Sequence, residues 1–180
     1  PGFDCDIYIS YRANDNQYDG WVMEFASKLE RELSATVKDK VTIWFDKSAE
    51  TLYKHPSQAP EGGGKWSKSL IFIPIISQTY CDPASITWQM EFRGFRDASL
   101  QDSIGPTVQL VNGNTVSRIL PVRIHDIDAE DVRLLESEIT GGLRSIDFIY
   151  RDTGINRPLR PLDDEKSSDP GRPMYRNQIN

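Results

Sequence analysis

Apolar and polar positions along the chain fall into an alternating strand and helix order. Asp6-Ile-Tyr-Ile-Ser10 is a short β-type run that closes on a polar residue, which predicts a first strand. A polar loop from Tyr11 to Asp19 follows. Trp21, Phe25, Leu29 and Leu33 then recur every four residues, with Val22 and Ala26 beside them and Lys28, Glu30, Arg31 and Glu32 opposite. That is the apolar stripe of an amphipathic helix, and Trp21 belongs to its packing face. Val41-Thr-Ile-Trp-Phe45 predicts a second strand closed by Asp46, with Trp44 in the core. Lys47 to Gly64 is rich in Ser, Pro and Gly and has no period; so long a loop in a compact domain is usually functional or mobile.

Leu70-Ile-Phe-Ile-Pro-Ile-Ile76 is continuously apolar, as a central parallel strand covered on both faces would be. Pro74 cannot donate to a ladder, which predicts a bulge or a local edge at that point. Trp88, Phe92 and Phe95, at i, i+4 and i+7, predict a helix over about 85–98. The looser stretch from Leu100 to Asn114 reads as a hairpin or an excursion. Ile119 to Ile124 predicts a fourth strand. Asp128 is placed to cap a helix carrying Val132, Leu135 and Ile139, with Asp131 in the first turn and Gly141-Gly142 at the end. Ser145 to Tyr150 predicts a fifth strand. Arg151 to Pro173 is Pro-rich and polar, hence loop or linker, and Tyr175 to Asn180 predicts the first turn of a helix cut short.

This order predicts right-handed crossovers and an α/β fold, a flavodoxin-like three-layer sandwich around a five-stranded parallel sheet. Residues 4–150 form the expected domain, and 151–180 the expected extension. Ligands of such sheets bind at the carboxyl ends of the strands. Three features fall at that edge: Ser10 to Arg12, Asp46, and Ser77 onward. A shared cleft is the prediction.

Composition narrows the picture. At 180 residues one core of useful size is available. A net charge of −6 argues against a generic nucleic-acid surface, yet leaves room for an anionic ligand in a local basic pocket. The apolar run from Leu70 to Ile76 is far short of the roughly 20 residues that span a bilayer, and the chain does not open on a secretory-type signal. Cys5 and Cys81 are two cysteines with no metal or redox spacing, so reduced thiols and a cytoplasmic location are expected. Two histidines, His55 in the long loop and His125 at a strand end, give little material for metal sites or Ser–His–Asp chemistry. We read His55 as solvated and His125 as a structural hydrogen-bonding residue. Gly62-Gly63-Gly64-Lys65 lacks the phosphate-loop pattern.

Asp6-Ile-Tyr-Ile-Ser-Tyr-Arg12 resembles the opening motif of the Toll/interleukin-1 receptor (TIR) family. Other pieces agree in order. Trp44-Phe-Asp46 resembles the end of the family's second strand, and the loop after it the family's BB loop. Ser77-Gln-Thr-Tyr-Cys81 resembles the turn after the third strand, and Trp88-Gln-Met-Glu91-Phe92 the Trp-then-Glu signature on the next helix. Leu70 to Cys81, Arg118 to Asp126 and Ile146 to Leu159 look most like TIR domains at the front of bacterial multidomain proteins, especially of the Bacteroidetes.

The resemblance implies an enzyme of bacterial immunity, including anti-phage defence, or of signalling. Many TIR domains cleave NAD at the nicotinamide–ribose bond, with NAD as substrate and no cofactor. The family's essential glutamate maps onto Glu91, although Trp88 to Glu91 is three residues where four is usual. A carboxylate near the ribose stabilises an oxocarbenium-like transition state. By pattern alone Glu91 reads more readily as a surface helix glutamate, helped by Arg93 or Arg96 nearby. The resemblance places Ser10, Tyr11, Arg12, Asp46, Ser77 and Trp88 around the dinucleotide. Arg12 is suited to a phosphate oxygen or to a solvated loop. Ser10 and Tyr11 suit a ribose or a ring, or Ser10 ends the strand. Asp46 suits a ribose hydroxyl or an Asx-turn. The resemblance further implies association with other TIR protomers through the loop 47–64, activation by partner domains of the same chain, and no nucleic-acid or membrane partner. A non-catalytic adaptor using the same surfaces is the competing reading. A phosphoacceptor module is disfavoured because Ser77 stands where an aspartate would be wanted.

Overall fold

The computed structural model describes residues 2–17, 19–46, 64–152, 154–166 and 174–179. In chain order its elements begin with β1 (Cys5–Ser10), the single-turn α1 (Asn14–Gln17), α2 (Trp21–Thr36) and β2 (Ile43–Phe45). A 3₁₀ turn (Lys65–Lys68), β3 (Ser69–Ile76) and a π-helical segment (Thr87–Phe92) that runs straight into α3 (Arg93–Gln101) follow. Next come β4 (Thr107–Gln109), β5 (Thr115–Ser117), β6 (Val122–Arg123), α4 (Ala129–Glu138) and β7 (Ile146–Asp147). The chain closes with β8 (Ile149–Asp152), β9 (Ile155–Pro158), α5 (Pro161–Lys166) and α6 (Met174–Ile179).

Five strands form one parallel sheet in the order β2-β1-β3-β6-β7, the flavodoxin-like α/β arrangement. Because successive strand residues point to opposite faces, the sheet separates two cores. Ile7, Ile9, Tyr11, Ile73, Ile75, Val122 and Ile124 face α2, where Trp21, Val22, Phe25 and Ala26 bury. Tyr8, Phe72 and Ile76 face the other way, against Trp88, Phe92, Phe95 and Leu135. This second core is largely aromatic: Tyr8 stacks on Phe72 with centroids 5.7 Å apart, and Phe72 on Phe95 at 4.9 Å.

Several expectations change in the structure. Pro74 neither bulges β3 nor puts it at an edge: the register to β6 is the same at Phe72↔Ile119 and at Ile75↔Val122. Phe72 donates to Arg118 and Ile76 accepts from Ile124, so position 74 also faces β6, and proline simply leaves one donor out of that ladder. The stretch after Leu100 is a hairpin, β4–β5, held down by Arg118. That guanidinium is buried, donates to the carbonyls of Leu70, Ser69 and Gly105, and pairs with Asp102 at 2.6 Å. The Asp128 side chain caps α4 as expected, accepting from the amides of Glu130 and Asp131.

Residues 151–166, expected as linker, instead complete the β8–β9 hairpin and form α5. Packing therefore runs across residue 150: Leu159 and Tyr175 bury in the α2 core, and Trp21 donates through Nε1 to the Leu159 carbonyl at 2.9 Å. His125 also departs from expectation, since its Nδ1 is buried with no hydrogen-bond partner among the described residues. Of the loop 47–64, only Gly64 lies within the described residues; His55 and Gly62-Gly63 lie outside them.

Candidate active site

A β2-β1-β3 order places a topological switch between β1 and β3, and the crevice beyond their carboxyl ends is where such sheets take ligands. Ser10 is the last residue of β1, Asp46 directly follows β2 and Ser77 directly follows β3. The helical segment after β3 delivers Glu91 to this point. Its carboxylate Oε2 accepts a 2.6 Å hydrogen bond from the Ser10 hydroxyl. Ser10 in turn lies 2.8 Å from the Tyr80 phenol, and both residues are fully buried. Tyr8, two residues before Ser10 on the same face of β1, brings its hydroxyl near the same carboxylate.

The π-helical turn accounts for Glu91 reaching this position. An i→i+5 turn takes in more residues than an α turn, so neighbouring side chains are splayed less, and Glu91 is swung toward the buried face of Phe92. The surface-glutamate reading offered Arg93 or Arg96 as supporting partners. Both instead go to Glu138 of α4, Arg93 at 2.9 Å and Arg96 in direct contact. Among the described residues Glu91 thus has a hydroxyl donor and no cation. Burial pushes its pKa from 4.5 up to about 7; the hydrogen bonds from Ser10 and Tyr8 act against the rise, and the nearby Asp46 adds to it. The residue keeps a partial opening to solvent, so the acid is enclosed without being sealed.

The other sequence-predicted residues are distributed unevenly. Tyr11 is buried, and its hydroxyl donates to the backbone carbonyl of Asp46, which ties the ends of β1 and β2 together. Burial lifts the Tyr11 phenol to about 12. The Arg12 guanidinium is half-buried and has no hydrogen-bond partner among the described residues. Ser77 is buried and lies 3.3 Å from the Thr79 hydroxyl. Trp88 is not at the carboxylate: it is fully buried, stacked on Phe92 at 4.3 Å and edge-on to Tyr80.

Three residues that pattern did not single out belong to this edge. Tyr8 and Tyr80 complete the hydrogen bonding around Ser10 and Glu91. Asp15, in the turn of α1, lies near Ser77 and Arg12; burial raises its pKa to about 6, and its Oδ2 has no partner among the described residues. The signal for Tyr8 was present, because period-2 alternation puts it on the Ser10 face. Asp15 lay in a stretch that reads only as polar loop. Among the described residues no group of His, Cys, Asp and Glu is arranged to hold a metal ion, and no helix is long and apolar enough to cross a membrane.

No protein-family model and no curated protein matches the chain. Solved structures do match. One is the structure of the activated Roq1 resistosome directly recognizing the pathogen effector XopQ (TIR domains), at 14% identity and a TM-score of 0.42, with 73% of this chain and 64% of that one covered. This chain thus spans just under two thirds of the length of that neighbour.

Proposed function

We propose that the chain is a TIR-type NAD glycohydrolase of bacterial kind, with Glu91 as the catalytic carboxylate. The observation that carries this reading is an acid brought to the switch point of a parallel sheet, held by Ser10 beside the Tyr8 hydroxyl, with no cation partner among the described residues. A structural glutamate in a folded domain is normally paired or solvated. This one is enclosed beside hydroxyl groups and keeps partial exposure at the switch-point end of the sheet.

The chemistry follows from charge. In NAD the nicotinamide nitrogen is cationic, so when the C1′–N bond breaks the ring leaves with the bonding electrons as neutral nicotinamide, and no proton is needed. Positive charge develops on the ribose. An ionised Glu91 stabilises that oxocarbenium character and then takes the proton of the attacking water, giving ADP-ribose. Attack by the adenine ring in place of water gives a cyclised product. In this reading Arg12 meets the diphosphate, and Asp46 and Ser77 line the ribose side. Association with other protomers through residues 47–64 completes the crevice in this reading.

The test is nicotinamide release from NAD by concentrated protein, with and without a crowding agent, beside Glu91→Gln. Loss of release by roughly a hundredfold or more is expected, the usual scale for removing a transition-state charge partner. Release that survives the substitution would move the chemistry elsewhere. No release from folded, assembled wild type would favour an adaptor that uses the same surfaces for protein contacts.

A further inference from the structure

We propose that Tyr80 is a positioning residue for Glu91 that acts through Ser10, fixing which way the Ser10 proton points. Ser10 Oγ lies 2.8 Å from the Tyr80 hydroxyl and 2.6 Å from Glu91 Oε2, so one hydroxyl bridges a phenol and a carboxylate. Distances do not say who donates to whom, but chemistry does. An ionised carboxylate only accepts, so Ser10 donates to it. Ser10 has a single proton, and its oxygen is then left as the acceptor for Tyr80. The chain therefore runs in one direction while Glu91 is charged, from phenol to serine to carboxylate. When Glu91 binds a proton, that direction is free to reverse.

Tyr80 and Ser10 are both fully enclosed, so water is in no position to replace the phenol as donor. Buried hydrogen bonds in series also polarise one another, so the Tyr80 bond strengthens the one that reaches Glu91. Tyr80 itself is locked by packing, edge-on to Trp88 at 6.1 Å and to Phe92 at 6.5 Å. Those two rings come from the same π-helical turn that carries Glu91, so donor and acceptor ends of the chain are held by one element. The groups facing Glu91 are Tyr8, Ser10 and Tyr11 from β1 and its end, Asp46 after β2 and Tyr80 after β3. Asp15 and Cys81 bear on Tyr80 in turn. Among these, Tyr80 is the donor that reaches the carboxylate only through an intermediary.

This inference rests on Glu91 as the working acid of the site, but its readout is titration and does not depend on turnover. The carboxyl carbon of Glu91 is followed by NMR in glutamate-labelled protein, with its resonance assigned from Glu91→Gln. In Tyr80→Phe the titration midpoint should rise by roughly half a unit or more, since the ionised form loses support. In Ser10→Ala, adding Tyr80→Phe should move the midpoint no further, because the intermediary is gone. An unchanged midpoint in folded Tyr80→Phe would overturn the proposal. So would an equal rise in both backgrounds, which would make Tyr80 a direct electrostatic neighbour. Absence of NAD cleavage by wild type would leave either titration result readable.

Discussion

Asp147, at the end of β7, is gripped by Arg123 through both carboxylate oxygens at 2.7 Å and approached by Arg151 at 3.3 Å. Glu91, which the π-helical segment brings to the carboxyl end of β1, meets among the described residues the hydroxyl of Ser10, with that of Tyr8 nearby. The two acids share an edge and differ in company. The hydrogen bonds from Arg123 hold Asp147 below the usual aspartate range, while burial carries Glu91 up to about 7. Ion pairing fixes a charge and makes an acid part of the frame. Hydroxyl donors in a buried place leave the charge undecided near neutrality, which is the condition an acid needs to exchange protons.

Glu91→Gln breaks the contrast most strongly. Its raised pKa means that the folded state prefers the proton; the stability associated with that is fully present below the unfolded value of 4.5 and is lost as pH rises through about 7. Glutamine carries no charge at any pH. Relative to wild type the variant should therefore gain roughly 2 to 3 kcal/mol between pH 5 and pH 8, read by urea denaturation at both. A constant difference across that window would mean that Glu91 titrates as a solvated acid.

Ser10→Ala sharpens the comparison by taking away one of the two hydroxyls. A hydrogen bond to a charged group is worth roughly 1.5 to 3 kcal/mol, so the Glu91 midpoint should climb by about one unit or more in the labelled protein. A fall would show that the hydroxyl supports the protonated form. The smallest effect belongs to the other acid. Asp147→Asn should cost about 1 kcal/mol at pH 7, as a partly exposed pair does. Since the folded pKa of Asp147 is depressed, its contribution is present above the unfolded value of 3.8 and disappears as pH falls below it. The gap between variant and wild type should close in acid, and the Glu91 titration should not move.

Apolar pattern made β1, α2, β3 and the capped helix after Asp128 legible, because the helices bury one periodic face and the strands are short apolar runs between polar ends. The π-helical turn was not legible, since Trp88, Phe92 and Phe95 fit an α period and nothing local marks an extra residue in the turn. That one residue decides whether Glu91 lies at the helix surface or inside. The fold of 151–166 was hidden for a different reason. Its β8–β9 hairpin is polar, and Leu159 commits to the core alone, so no stripe accumulates; Pro161, which looks like a breaker, occupies the first position of α5, where a missing N–H costs nothing. Position in the chain placed Ser10, Asp46 and Ser77 at one edge, but the partners of each side chain depend on packing that pattern does not encode.

Pro74 leaves the two flanks of β3 unequally tied. Toward β1 the strand is in register from Cys5↔Ser69 to Ser10↔Pro74, whereas toward β6 one donor is missing midway and regular pairing covers two positions. Pro121, directly before β6, accepts from Ile146 but has no N–H to give in return on the β7 side. Stiffness is therefore distributed asymmetrically across the sheet. Ser10 lies on the more continuously paired flank of β3, away from the interrupted ladder to β6.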